Sequence, residues 1–176
     1  PRSTRKESSA ASDVYKRQGS TVNNLVFCFY DGHHMGNYHD VVSHEFTHGV
    51  IRNSSALGGA NEPGALNESF ADIFGLMAER ITVNGEVETN LNWEYGHSDI
   101  FQRYFNNPNA GGRHLKADCS GFDLGQPDTY GGLYWTDFDC PGTNGDKHAK
   151  GGVQNFWFYL LSCAFLYFTC GNFSFM

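Results

Sequence analysis

The chain has 176 residues, a length that suits one domain or a piece of a larger one. Apolar residues make up 40% and aromatic residues 15%, enough to bury a core and to exclude a fully disordered or collagen-like chain. Twelve Lys and Arg stand against nineteen Asp and Glu, a net charge of −7, which excludes a protein that grips phosphate backbones through clustered positive charge, so no nucleic-acid partner is expected.

Residues 1–18 hold five basic side chains (Arg2, Arg5, Lys6, Lys16, Arg17) and two acidic ones (Glu7, Asp13), which leaves the remainder at −10. This Ser- and Ala-rich stretch has neither apolar periodicity nor the apolar centre of a secretory signal, and it reads as a non-native or disordered leader. Residues 25–30, apolar and aromatic and closed by Asp31-Gly32, read as a strand and its turn. Residues 40–52 carry Val42, Phe46 and Val50 at i, i+4, i+8, with an acid in the first turn, and this spacing predicts a helix. A Ser/Gly/Asn-rich loop follows. Pro63 suits the first turn of a second helix, which runs to about Arg80 with Leu66, Phe70, Ile73, Phe74 and Met77 as its apolar face.

Residues 82–152 are rich in Gly, Asn and Asp, the chemistry of turns rather than of element interiors. They read as a long, loop-dominated insert in which metal-stapled loops are one explanation for the many carboxylates. Residues 153–170 are strongly apolar but interrupted by Gln154, Asn155 and Ser162, and they read as a buried helix rather than a membrane span. Five cysteines with no CxxC spacing argue against a zinc ribbon. Cys119 and Cys140 lie in loop sequence and can pair in an exported protein, whereas Cys163 and Cys170 read as core residues.

The first predicted helix contains His44-Glu45-Phe46-Thr47-His48, an HExxH motif. Four residues advance a helix by about 400°, so both imidazoles project from one side within reach of a single ion. Glu45 lies about 100° round, beside that ion, where a metal-activated water needs its base. A catalytic zinc takes three protein ligands and keeps a position open. Glu68, 24 residues after His44 and on the next helix, is a candidate third ligand, and Asp72 falls one turn later on the same face. One acid can bind metal while the other supports a histidine through its second ring nitrogen.

HEFTHGV followed by GALNESFADIFG resembles the thermolysin-like family of secreted neutral zinc metallopeptidases, and the likeness runs with gaps over residues 40–162. The resemblance implies an α+β fold with the HExxH helix at the active-site cleft, a mainly helical C-terminal part and an N-terminal β-rich lobe that is largely missing. Residues 19–176 would then be a partial catalytic domain. It implies zinc ligands His44, His48 and Glu68, general base Glu45, supporting residues Asp72 and Asn67, a substrate-carbonyl contact from Arg103, and His148 as the histidine that stabilises the oxyanion. It further implies calcium held by carboxylates at positions matching Asp40, Glu79 and Glu94, with Asp99 a further candidate. The expected protein is a secreted, monomeric endopeptidase that acts on peptide or protein substrates and spans no membrane. Two departures stand out: Leu57-Gly58-Gly59-Ala60 replaces a segment that carries a tyrosine in relatives, and Thr143 stands where an aspartate orients the histidine, leaving Asp137, Asp139 or Asp146 to substitute. The alternative reading is a catalytically inactive, truncated metal-binding module.

Overall fold

The computed structural model describes residues 38–81, 92–96, 102–137, 140–141 and 146–170, with side chains through 164. The predicted strand at 25–30, together with Cys28, Asp99, Asp139 and Thr143, lies outside these residues. Helix α1 (His39–Ser54) is followed by α2 (Asn61–Glu79). Strands β1 (Glu94–Tyr95) and β2 (Arg103–Tyr104) pair antiparallel, with Tyr95 opposite Arg103. After a 3-10 turn at Pro108–Ala110, β3 (Arg113–Leu115) and β4 (Phe122–Leu124) form a second antiparallel pair with His114 opposite Asp123. Helix α3 (Lys147–Cys170) closes the order. The predicted loop insert therefore contains two short hairpin-like pairs, and the fold is mainly helical.

Helix α2 lies between α1 and α3. Asp40 in the first turn of α1 is fully buried; its Oδ1 accepts from Val41 N at 2.8 Å and its Oδ2 from Gly96 N at 2.8 Å, tying the start of α1 to the end of β1. Where the two helices approach, a Cβ on Gly75 would fall 2.5 Å from Asp40 O, so only glycine permits this spacing. The apolar core is formed where Ile73 and Leu76 of α2, Trp93, Tyr95 and Phe105 pack with Phe158 and Tyr159 of α3. Trp93 meets Tyr159 edge-on at 5.1 Å.

The first two predicted helices exist, but most of the apolar residues that mark them face outward. Val42, Phe46 and Val50 are exposed, while α1 buries Asp40, His44, Glu45, Thr47 and His48 alongside Val41 and Ile51. On α2, Ile73 is buried as expected, but Leu66, Phe70, Phe74 and Met77 face outward. Periodicity reports which residues share a face, not what that face meets, and here the polar faces of α1 and α2 meet each other. Helix α3 begins at Lys147, six residues before the predicted apolar run, and buries one side (Ala149, Gly151, Gly152, Asn155) while Trp157, Leu160 and Leu161 are exposed. The expectation of a buried helix is corrected accordingly: α3 buries one side only. Among the described residues no helix is long and apolar enough to cross a membrane. Cys119 and Cys140 form a disulfide, and Cys163 is a half-buried free thiol.

Candidate metal centre

Because His44 and His48 are one turn apart on the buried face of α1, their Nε2 atoms lie 3.0 Å apart. Helix α2 brings Glu68 Oε2 to 3.4 Å from His44 Nε2 and 3.7 Å from His48 Nε2. Donors bound at 2.0–2.1 Å around a tetrahedral ion are about 3.3 Å apart, so these separations bracket what zinc requires. Two imidazole nitrogens and one carboxylate oxygen are also the donor types that zinc takes. Among the described residues this is the one group of three His, Cys, Asp or Glu side chains whose donor atoms converge, all within 4.8 Å of one another.

A surrounding layer orients each ring. His48 Nδ1 donates to Asn67 Oδ1 at 2.7 Å, and Asn67 Nδ2 in turn donates to Leu57 O at 3.3 Å. With the proton on Nδ1, the Nε2 lone pair of His48 points at the shared position. His44 Nδ1 lies 3.0 Å from Asp72 Oδ1 but off the line of a straight hydrogen bond, so charge rather than alignment holds that contact. Asp72, fully buried, also accepts from Arg103 Nη1 and, through Oδ2, from Asn155 Nδ2 at 2.9 Å. Ser69 Oγ completes the chain by donating to Asn155 Oδ1 at 2.6 Å. Asn155 was visible in the sequence only as a polar interruption of an apolar run; a buried amide of this kind needs partners, and that is the signal it carried.

The electrostatics follow from two carboxylates among cations. Burial alone would lower the His44 pKa, but Asp72 and Glu68 outweigh it and raise that pKa to about 9. Burial and the neighbouring His44 charge lower His48. Burial disfavours a charged Glu68 and a charged Asp72, yet both stay well ionised, Glu68 through the surrounding histidines and Asp72 through Arg103 and then His44. Burial raises the Glu45 carboxyl to about 7, with the His44 charge pulling the other way. An anionic pair facing two imidazoles attracts a proton in the absence of an ion and a divalent cation in its presence.

The remaining expected residues fall in instructive places. Arg103 is buried on β2 against Asp72, with its guanidinium 5.3 Å from the Tyr95 ring centre. His148 belongs to the first turn of α3 rather than to a loop, and its Nε2 is 3.5 Å from Glu68 Oε2. Although 46% of that side chain is open, crowding of the ring by the site and the nearby cations lower its pKa to about 4 against the pull of Glu68. Of the aspartates proposed to orient it, Asp146 accepts instead from Leu115 N and Thr136 Oγ1, and Asp137 from Trp135 Nε1. Asp40 binds backbone N–H groups and Glu94 Oε2 accepts from Gln102 Nε2 at 3.0 Å; with Glu79 they do not converge as a group. Lys147, which no motif singled out, places Nζ 2.5 Å from Glu68 Oε1.

Comparison with known proteins adds an independent line. The model of the family described as thermolysin metallopeptidase, alpha-helical domain, matches residues 55–172. The chain belongs to this family. It is 37% identical over 123 residues to a bacillolysin of Bacillus cereus, an alignment covering 70% of this chain and 19% of that protein. It is 36% identical over 123 residues to a thermolysin of Alicyclobacillus acidocaldarius subsp. acidocaldarius, covering 70% and 20%. The chain thus spans about a fifth of the length of these relatives. Among solved structures it is similar to the precursor of protealysin, a metalloproteinase from Serratia proteamaculans, with 26% identity, a TM-score of 0.45 and coverage of 72% of this chain and 38% of that one. The family's metallopeptidase character and the His44, His48 and Glu68 cluster point to the same chemistry.

Proposed function

We propose that this chain carries the catalytic centre of a secreted, zinc-dependent endopeptidase. One observation carries the reading: His44 Nε2, His48 Nε2 and Glu68 Oε2 converge from two helices while Glu45 lies buried beside them. His44, His48 and Glu68 would hold the ion, which when bound supplies Lewis acidity and brings the pKa of water down toward about 7. Glu45 takes the proton of the attacking water and returns it to the leaving amine, a task suited to a buried carboxylate on the turn that carries His44 and His48. Asn67 and Asp72 hold the rings of His48 and His44. His148, neutral but still carrying one ring N–H, donates to charge developing on the scissile carbonyl oxygen. Arg103, fixed by Asp72, supplies the carbonyl contact.

Cleavage of an unstructured protein such as casein tests this. The folded, zinc-loaded chain is expected to show chelator-sensitive cleavage that Glu45→Ala lowers by about 100-fold or more while zinc is retained. The second reading, an inactive metal-binding module, draws on the segment 57–60, which offers no phenol to an oxyanion. Absence of cleavage by the folded, zinc-loaded chain would establish that reading instead.

A further inference from the structure

The two oxygens of Glu68 face different partners. Oε2 looks into the position shared by His44 and His48, at 3.4 and 3.7 Å, whereas Oε1 accepts from Lys147 Nζ at 2.5 Å. The Lys147 side chain is largely enclosed, with 15% of its surface open. Its stem is seated deliberately: a Cβ on Gly64 would stand 3.2 Å from Lys147 Cβ and 2.8 Å from Gly59 C, so the absence of a side chain at Gly64 lets the first turn of α3 settle onto α2. The ammonium is therefore held at the carboxylate by packing as well as by charge.

We propose that Lys147 is a positioning residue that keeps Glu68 Oε1 away from the metal, so that Glu68 serves through Oε2 alone, and that its charge lowers the affinity of the site for a divalent cation. The proposal rests on the metal site read above. Its physical basis is twofold. An oxygen already accepting from an ammonium is a poor second donor to an ion, and two cations sharing one buried carboxylate repel each other more strongly than they would in water. Lys147 is in this sense a tethered competitor of the ion for Glu68. In the metal-free chain it also supplies the counter-charge that a buried carboxylate requires.

The test compares the full chain with Lys147→Met, which keeps the apolar stem without the charge, and Lys147→Arg, which keeps charge and donors. Zinc affinity is measured by competition with a chromophoric chelator, and coordination number by the visible absorption of the cobalt(II) form. Lys147→Met is expected to bind zinc about tenfold more tightly or better and to show weaker cobalt absorption, because freeing Oε1 raises the coordination number. Lys147→Arg is expected to retain both wild-type properties. Lys147→Gln takes the place of Lys147→Met if the latter does not fold, with the same expected gain in affinity. Unchanged or weaker zinc binding in the charge-free variant overturns the proposal. Glu68→Ala separates the two levels. If it abolishes zinc binding while the Lys147 variants change nothing, only the role of Lys147 falls; if it leaves zinc binding intact, the metal site and the role of Lys147 fall together.

Discussion

Asp146 ties β3, the segment around Thr136 and the start of α3 together through its side chain and its main-chain oxygen. Its Oδ2 accepts from Leu115 N at 2.8 Å and Thr136 Oγ1 at 3.1 Å, while its main-chain oxygen accepts from Ala149 and Lys150 N in the first turn of α3. Burial raises the pKa of this carboxyl, against the Leu115 and Thr136 hydrogen bonds and the charges of His114 and Lys150. The folded chain thus keeps the proton to higher pH than the unfolded chain does. The stabilising contribution is full below the unfolded value of about 3.9 and is lost as pH rises through the higher folded value. Asp146→Asn retains a carbonyl oxygen for both donors, removes the buried charge and suits the left-handed backbone found there, φ +54°. Thermal denaturation should show its Tm raised by about 2 °C at pH 7, with a flatter pH dependence above about pH 4; a wild-type slope would show that the carboxylate is not felt. At this scale the sequence was informative wherever spacing alone dictated geometry. The HExxH pair and Glu45 were legible because four residues on a helix return to one face. Lys147 and Asn155 were not, because each meets its partner across more than seventy residues of chain.

Neighbouring residues on α1 separate what a helix is from which way it faces. Val50 is 51% exposed and Ile51 is 6% exposed. Val50→Gln is expected to change stability by no more than about 0.5 kcal/mol, whereas Ile51→Ala is expected to cost about 2–4 kcal/mol. Urea denaturation of the two variants checks this directly, and equal losses would contradict the orientation of α1. The helix itself was readable from the apolar stripe at Val42, Phe46 and Val50, since that signal is local. Its direction was not, since a helix buries whichever face its neighbour complements. Here the neighbour is α2, and Asn67, Glu68 and Asp72 on its facing side call for the histidines of α1. The same reasoning explains α2, where Ile73 and Leu76 reach the core and Phe74 faces outward.

At the scale of the whole molecule, the helices carry the donor atoms and the segment between α2 and α3 is held by other means. The bond between Cys119 and Cys140 closes a loop across 21 positions. Reduction should lower the unfolding free energy by about 3 kcal/mol and leave zinc binding intact, because His44, His48 and Glu68 lie on α1 and α2, outside that loop. Paired denaturation and zinc titration, with and without reductant, test both parts, and loss of zinc binding on reduction would show that the loop helps to build the site. The amino-acid sequence by itself determined that α1 and α2 are helices and which candidate donor types they carry at what spacing, because periodicity and motif geometry act over a few residues and are nearly independent of the rest of the chain. The tertiary structure alone decided which faces meet, that Asn155 and Arg103 complete the support of Asp72, and that Glu68 meets Lys147 as well as His44 and His48. Those contacts arise only when α3 and the β1–β2 pair are laid against α2, and the packing that brings distant residues together leaves no periodic trace in the chain.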